Sequence, residues 1–280
     1  MSIVREKEGL EEFSMKTRVI SAIVLLAIFI PILLVGGLPY SLLMALLSVM
    51  GLHEIVKGRK SEKDIPLTLE VFAYVMVVLF TLNNYDISSF VYLIDYRLIA
   101  SLFFAFILPL IFVNNKKKYD VNDAFFLMGS TLFLGFSFNL LILIRNYSIH
   151  HIIYVFLITI ITDTFALVTG KNIGKHKMAP KISPNKTWEG FFGGSFMGVV
   201  IPAFYFSRVI DTGLSFGIVL AMTFILSVLG QMGDLVFSFI KREFNKKDFS
   251  NLIPGHGGIL DRLDSIIFVV LGFLLFLAVL

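Results

Sequence analysis

Cysteine is absent from the 280 residues, which excludes disulfides and thiolate metal sites and leaves the compartment open. Charge is scarce too: 16% of residues are Asp, Glu, Lys or Arg, against about 25% in a soluble globular chain. Internal repeats and low-complexity tracts are also missing. Apolar residues take the room instead, at 57% of the total against about 45–50% in soluble chains. Mean hydropathy is +0.86, and Phe alone occurs 30 times. A water-facing fold of this length has no interior large enough to hide that excess, so lipid must be the solvent for much of the surface.

The first fourteen residues, MSIVREKEGLEEFS, mix acidic and basic side chains and read as a short disordered arm or an appended extension outside the fold. Residues 15–280 then form one polytopic membrane domain. The apolar run 19–35 is long for a signal peptide, and Gly36-Gly37-Leu38-Pro39 offers no A-x-A cleavage pattern, so it reads as an uncleaved first span. Crossing a bilayer takes about 20 mostly apolar residues. On that measure the chain is an all-α integral membrane protein with about nine transmembrane helices. They fall at roughly 19–36, 38–56, 67–83, 96–113, 121–145, 150–170, 188–208, 214–240 and 258–280. Segment 87–95 is apolar but short, which predicts a re-entrant or interfacial piece.

Loop charge orients these spans. Lys57, Arg59, Lys60 and Lys63 follow span two, and Lys116, Lys117 and Lys118 follow span four. Lys171, Lys175, Lys177, Lys181 and Lys186 follow span six; Lys241, Arg242, Lys246 and Lys247 follow span eight. The intervening connections hold only Arg97, Arg145 and Arg208. Positive loops stay cytoplasmic, which places the N-terminus inside and the C-terminus outside.

Ionisable groups inside a membrane are costly and default to function. Asp163 lies seven residues before the cytoplasmic end of span six, ~10 Å deep at ~1.5 Å per residue. Asp234 lies at a similar depth in span eight, and Asp261 and Asp264 occupy the first turns of span nine. The i, i+3 spacing puts the last two on one helix face. Ordinary roles exist for each: Asp163 bonded to Thr159 or Thr162, Asp261 and Asp264 as partners of a helix N-terminus. Adjacent carboxylates in apolar surroundings nevertheless repel unless a cation or proton sits between them. Hard divalent ions such as Mg²⁺ take carboxylate oxygens and keep positions for substrate phosphates.

Basic residues and glycines cluster on the same side. Lys241, Arg242, Lys247, His256 and Arg262 are placed to face the aspartates, Gly257 and Gly258 allow close backbone approach, and the amides opening span nine could point at an anion. Between spans six and seven, lysines interleaved with Gly170, Gly174, Pro180 and Pro184 predict a stiffened basic hairpin. Thr187 is a candidate cap for span seven with Glu189 in its first turn, and Trp188, the only tryptophan, fits an interface anchor. Gly190, Gly194 and Gly198 predict a close helix–helix contact. His53 and Glu54 in span two carry no clear signal.

The stretch Ser238-x-Ile240-Lys241-Arg242-x4-Lys247-Asp248-x-Ser250-x2-Ile253-Pro254-x-His256-Gly257-Gly258-Ile259-x-Asp261-Arg262-Leu263-Asp264 resembles the signature of the phosphatidate cytidylyltransferase (CDP-diacylglycerol synthase) family. The 162–190 stretch, with Asp163, Lys171, Lys175, Ser183, Pro184, Lys186, Thr187 and Glu189, is similar to that family's second marked region. Leu167 stands where an aromatic is expected and Asn185 where a lysine is common. The resemblance covers the C-terminal half, about 150–280, in its motifs and the N-terminal half in hydropathy alone.

What the resemblance implies is transfer of a cytidylyl group from CTP to phosphatidate, giving CDP-diacylglycerol and pyrophosphate for phospholipid synthesis. It implies one or two Mg²⁺ ions and a homodimer in the cell (inner) membrane, acting on inner-leaflet phosphatidate at the cytoplasmic face, with no nucleic acid partner. Asp234, Asp261 and Asp264 are then the metal ligands and, with Lys241 and Arg262, the catalytic set. Lys186, Arg242, Lys247, His256, Gly257, Gly258 and Asp163 bind or support the phosphates. A CTP-dependent lipid kinase shares donor and metal, and a secondary transporter also buries carboxylates. A CDP-alcohol phosphotransferase would need a D-G-x2-A-R element, which the chain lacks.

Overall fold

The computed structural model describes residues 2–60, 65–83, 95–113, 118–210 and 212–276, with side chains described from Thr17 onward, Arg18 and Lys60 apart. The short segment expected at 87–95, the loop lysines 63, 116 and 117, and the last four residues lie outside that set, apart from Asp95. Helices run in the order α1 (Ser2–Val35), α2 (Gly37–Lys60), α3 (Leu67–Leu82), α4 (Tyr96–Ile107), α5 (Pro109–Phe112), α6 (Val121–Tyr147), α7 (Ile149–Ile173), α8 (Trp188–Val209), α9 (Phe216–Glu243) and α10 (Leu260–Leu274). Strands β1 (Lys177–Ala179) and β2 (Ser183–Thr187) lie between α7 and α8. The fold is therefore nearly all-α, the exception among the described residues being this one antiparallel pair.

Among the described residues five helices are long and apolar enough to cross a membrane: Gly37–Arg59, Val121–Tyr147, Ile149–Ile173, Trp188–Val209 and Phe216–Glu243. Val19–Val35, Leu67–Leu82 and Tyr96–Phe112 are shorter apolar helices, and α10 covers most of the ninth predicted span. Large side chains turned outward, such as Ile20, Leu34, Phe192 and Phe196, are tolerable only against lipid. The protein is a membrane protein.

Caps mark the helix boundaries. Asp120 accepts from the Asp123 amide while Asp123 accepts from the Asp120 amide, so two orphan donors of α6 are satisfied reciprocally. Ser148 is the single residue between α6 and α7; it ends the first and caps the second through the His150 amide. At the junction of α1 and α2, Gly36 and Gly37 adopt positive φ. The Arg145 guanidinium donates to Leu33 O and Leu34 O there, satisfying carbonyls that a helix end leaves open.

Two bundles share one continuous core. Helix α6 packs on α2 and α3, while α7, α8, α9 and α10 pack around one another. The closest pair is α7 with α8. A Cβ at Gly194 would meet Ala166 and the Thr162 carbonyl, and one at Gly198 would collide with the Thr162 hydroxyl. The four-residue glycine spacing is the backbone-to-backbone contact it predicted. Lipid offers no hydrogen bonds, so buried polar groups in this bundle pair across helices. Tyr154 meets Thr223 at 2.7 Å, Thr162 meets Ser227 at 2.8 Å and Gln231 donates to Ser195 at 2.8 Å.

Candidate active site

One end of the α7–α10 bundle opens into a cavity of about 680 Å³. Helix α7 contributes Asp163 to its wall, α9 contributes Asp234 and Lys241, and α10 contributes Asp261, Arg262 and Asp264. The β-hairpin closes one side. Its register pairs Lys177 with Thr187 and Ala179 with Ser183, and it brings Lys177 and Lys186 to the cavity. Glu189 fixes the hairpin's base by accepting from the Lys175 and His176 amides and from the His176 ring at 2.6 Å. The Thr187 hydroxyl accepts from the Gly190 amide, capping α8 as predicted.

The carboxylates converge from three helices. Asp163 lies within electrostatic influence of Asp234 and Lys186 and shares the cavity wall with Ser265; the Thr159 and Thr162 hydroxyls turn to Phe156 O and to Ser227 instead. Asp264 is under the influence of Asp234, Lys241 and Asp163. Asp234 is 2.7 Å from Lys186 Nζ and accepts from the Ser238 hydroxyl at 3.3 Å. Lys186 also donates to Gln231 O at 3.2 Å.

Asp261 is held differently. Its side chain is 3% exposed and that of its partner Lys241 10%, with 2.7 Å between Nζ and Oδ1. Its Oδ2 accepts from the Phe249 and Gly258 amides at 2.9 and 2.8 Å. Both oxygens are thus engaged, and Asp261 locks α9 to α10 and to the loop between them. Among the described residues no group of three or more His, Asp or Glu side chains is gathered closely enough to hold a metal ion. A divalent ion fits this donor set in another way: Mg²⁺ typically takes one or two carboxylates and completes its shell with substrate phosphates and water. Asp234 and Asp264 both line the cavity and interact electrostatically, and such a pair would come from them.

Other expected site residues turn elsewhere. The amides opening α10 do not face a substrate anion: Gly258 donates to Asp261, and Ile259 and Leu260 donate to Glu54. The two glycines are small for the same reason. A Cβ at Gly257, which has φ +84°, would press on Asp261, and one at Gly258 would collide with Glu54. His256 points its Nδ1 at the Ser21 hydroxyl of α1, 2.9 Å away. Arg242 donates to Ile182 O in the hairpin turn and to Lys246 O. Lys247 is exposed. None of these three lines the cavity: Arg242, in the last turn of α9, is turned to the hairpin, and Lys247 and His256 lie in the loop that follows.

Residues given no site role in advance also line it: Lys171, Lys177, Asp248, Gln231 and Ser265. Gln231 was legible, since a polar side chain three residues before Asp234 shares its helix face. Lys171 and Lys177 were within the basic stretch.

A bundle end that pairs acidic and basic side chains around one cavity is suited to polyphosphate chemistry in a membrane enzyme. The chain belongs to the cytidylyltransferase family, whose pattern it matches over residues 16–280. It is 37% identical over 257 residues to a phosphatidate cytidylyltransferase of Staphylococcus haemolyticus, covering 91% of this chain and 96% of that one. A Staphylococcus aureus protein of the same name is 37% identical over 259 residues with the same coverage, and a Staphylococcus epidermidis one is 37% identical over 257.

Proposed function

We infer that the chain transfers the cytidylyl group of CTP to phosphatidate. A phosphate oxygen of phosphatidate forms a bond to the α-phosphorus of CTP, the bond from that phosphorus to the bridging oxygen of the β-phosphate breaks, and pyrophosphate leaves. The nucleophile is already ionised, so no general base is required. The demands are alignment of two polyanions and neutralisation of charge on the departing group.

The observation that carries the reading is the pair of ion pairs, Lys186–Asp234 and Lys241–Asp261, facing one cavity from two helices and a hairpin. Each lysine neutralises a carboxylate while no phosphate is bound. A triphosphate supplies competing negative charge, drawing Lys186, Lys241 and Arg262 towards it. Asp234 and Asp264, with Asp261 if Lys241 is drawn away, are the residues that would hold one or two Mg²⁺ ions. The bound ion would screen the triphosphate and stabilise charge on the leaving pyrophosphate. Asp163, which lines the same cavity, supports Asp264 from the neighbouring helix.

Loop charge supports nine spans with the N-terminus inside, which puts the cavity at the cytoplasmic face of the cell membrane. CTP reaches it from water, and phosphatidate enters sideways from the inner leaflet. A homodimer is part of the same reading, by family resemblance. The deciding experiment incubates purified protein with phosphatidate, Mg²⁺ and CTP labelled either in cytidine or in the γ-phosphate. Cytidine label in the lipid with release of pyrophosphate is the expected result; γ-phosphate label in the lipid would make the protein a kinase instead.

A further inference from the structure

Helix α10 has no cap of its own. Its N-cap position is Ile259, whose side chain offers no acceptor. The missing acceptor arrives from the other half of the molecule. Glu54, near the end of α2 and 3% exposed, places Oε1 2.9 Å from the Ile259 amide and Oε2 3.0 Å from the Leu260 amide. Its Oε1 also accepts from the Ser250 hydroxyl at 2.6 Å. Every acceptor bond shown for Glu54 therefore goes to the loop and first turn that deliver Asp261 and Asp264. The contact spans 205 residues of sequence.

A carboxylate at a helix N-terminus satisfies orphan amides and meets the positive end of the helix dipole. One buried this deeply costs too much to keep unless its bonds are made. Gly258 shows how closely it approaches: any Cβ there would collide with the Glu54 carboxylate. The neighbouring Ser21 of α1 adds a second tie, donating to Pro254 O at 3.0 Å beside its contact with His256.

We propose that Glu54 is a positioning residue for the transfer reaction: by capping α10 from α2 it fixes the helix's first turn, and with it Asp261 and Asp264, against the cavity. Glu54 does not line the cavity and acts through the loop before α10 and the first turn of that helix. The inference rests on the reading of Asp264 as an ion-binding carboxylate, and the test separates the two.

The full-length protein is purified in detergent, and turnover, KM for each substrate and the Mg²⁺ concentration giving half-maximal rate are measured for Glu54→Gln, Gly258→Ala, Asp264→Asn and His53→Asn. Glutamine keeps the shape but loses one acceptor. Supporting residues of metal ligands typically affect metal affinity or activity by about 10–100-fold when replaced. Glu54→Gln should raise the Mg²⁺ requirement and lower kcat within that range while KM for phosphatidate stays within about twofold. Gly258→Ala, which displaces the same carboxylate, should reproduce that profile if Glu54→Gln fails to insert. Once Glu54→Ala has removed the carboxylate the extra methyl has space, so Glu54→Ala/Gly258→Ala should be no worse than Glu54→Ala alone. His53→Asn, on the exposed side of α2, should behave as wild type. Wild-type Mg²⁺ dependence and kcat in Glu54→Gln or Gly258→Ala, strictly additive losses in the double variant, or an equal loss in His53→Asn would each overturn the proposal. A raised Mg²⁺ requirement in Asp264→Asn without one in Glu54→Gln sinks it alone; no change in either removes the ion reading as well.

Discussion

Lys241 Nζ lies 2.7 Å from Asp261 Oδ1, joining α9 to α10 across the loop that separates them. Neither side chain has much water, so the pair holds only while both members are present. Removing one partner of a buried pair costs about 3–5 kcal/mol, because the remaining charge is left uncompensated. Lys241→Met should therefore lower the thermal midpoint sharply and abolish turnover. Lys241→Met/Asp261→Asn should recover much of the midpoint and none of the activity. A double variant as unstable as the single one would show that the pair is not what joins these helices.

Lys186 sits on β2 with its ammonium between Asp234 and the Gln231 carbonyl. If it neutralises charge on the reacting phosphates, Lys186→Ala should cost about 10²–10³ in kcat, the scale of one preorganised electrostatic donor. The protein should still insert and fold, since this pair is the more exposed of the two. Steady-state kinetics on the purified variant decide it; a change confined to KM for CTP would restrict Lys186 to binding.

Arg242, Lys247 and His256 stand in the same signature yet lie off the cavity. Lys247→Ala should retain turnover within about threefold, far from the 10²–10³ expected at Lys186. His256→Ala should loosen the Ser21 contact and lower the midpoint more than kcat. A loss at Lys247 as deep as that at Lys186 would mean that the loop closes over substrate.

Chelation should abolish activity reversibly, with Mg²⁺ restoring it. Asp264→Asn should insert normally and require more Mg²⁺ for half-maximal rate. Titration of rate against free Mg²⁺ is the measurement, and an Asp264→Asn enzyme at wild-type rate and Mg²⁺ dependence would exclude Asp264 as an ion ligand.

The α7–α8 contact gives a packing prediction. A side chain at Gly198 collides with the Thr162 hydroxyl and comes within 3.0 Å of Ser227 Oγ. Overpacking of a tight contact costs about 1–3 kcal/mol, so Gly198→Leu should reduce the midpoint. It should also reduce activity, because Thr162 precedes Asp163 on the helix it displaces. Gly217, with open space around its Cβ position, is the control.

The membrane-facing helices were readable because hydropathy alone sets span length: among the described residues five of the predicted spans fall on helices long and apolar enough to cross a membrane and three on shorter apolar helices. Asp163, Asp234 and Asp264 were readable as one layer because a carboxylate in an apolar run needs a reason to be there, and equal depth from one face suggested a shared one. Asp261 was not separable from Asp264, since i, i+3 spacing fixes a common face but not which atoms each oxygen meets. That Arg242, Lys247 and His256 lie off the cavity could not be read, because their placement depends on contacts such as Arg242 with Ile182 and His256 with Ser21. Glu54 gave no clear signal, because its partners lie in a distant segment and no periodicity points to them.

Arg145 holds the last carbonyls of α1 from a position 112 residues further along the chain. Those carbonyls gain their guanidinium partner only after synthesis has passed α6, so the turn between α1 and α2 takes its final form late, whichever of its neighbours were made first.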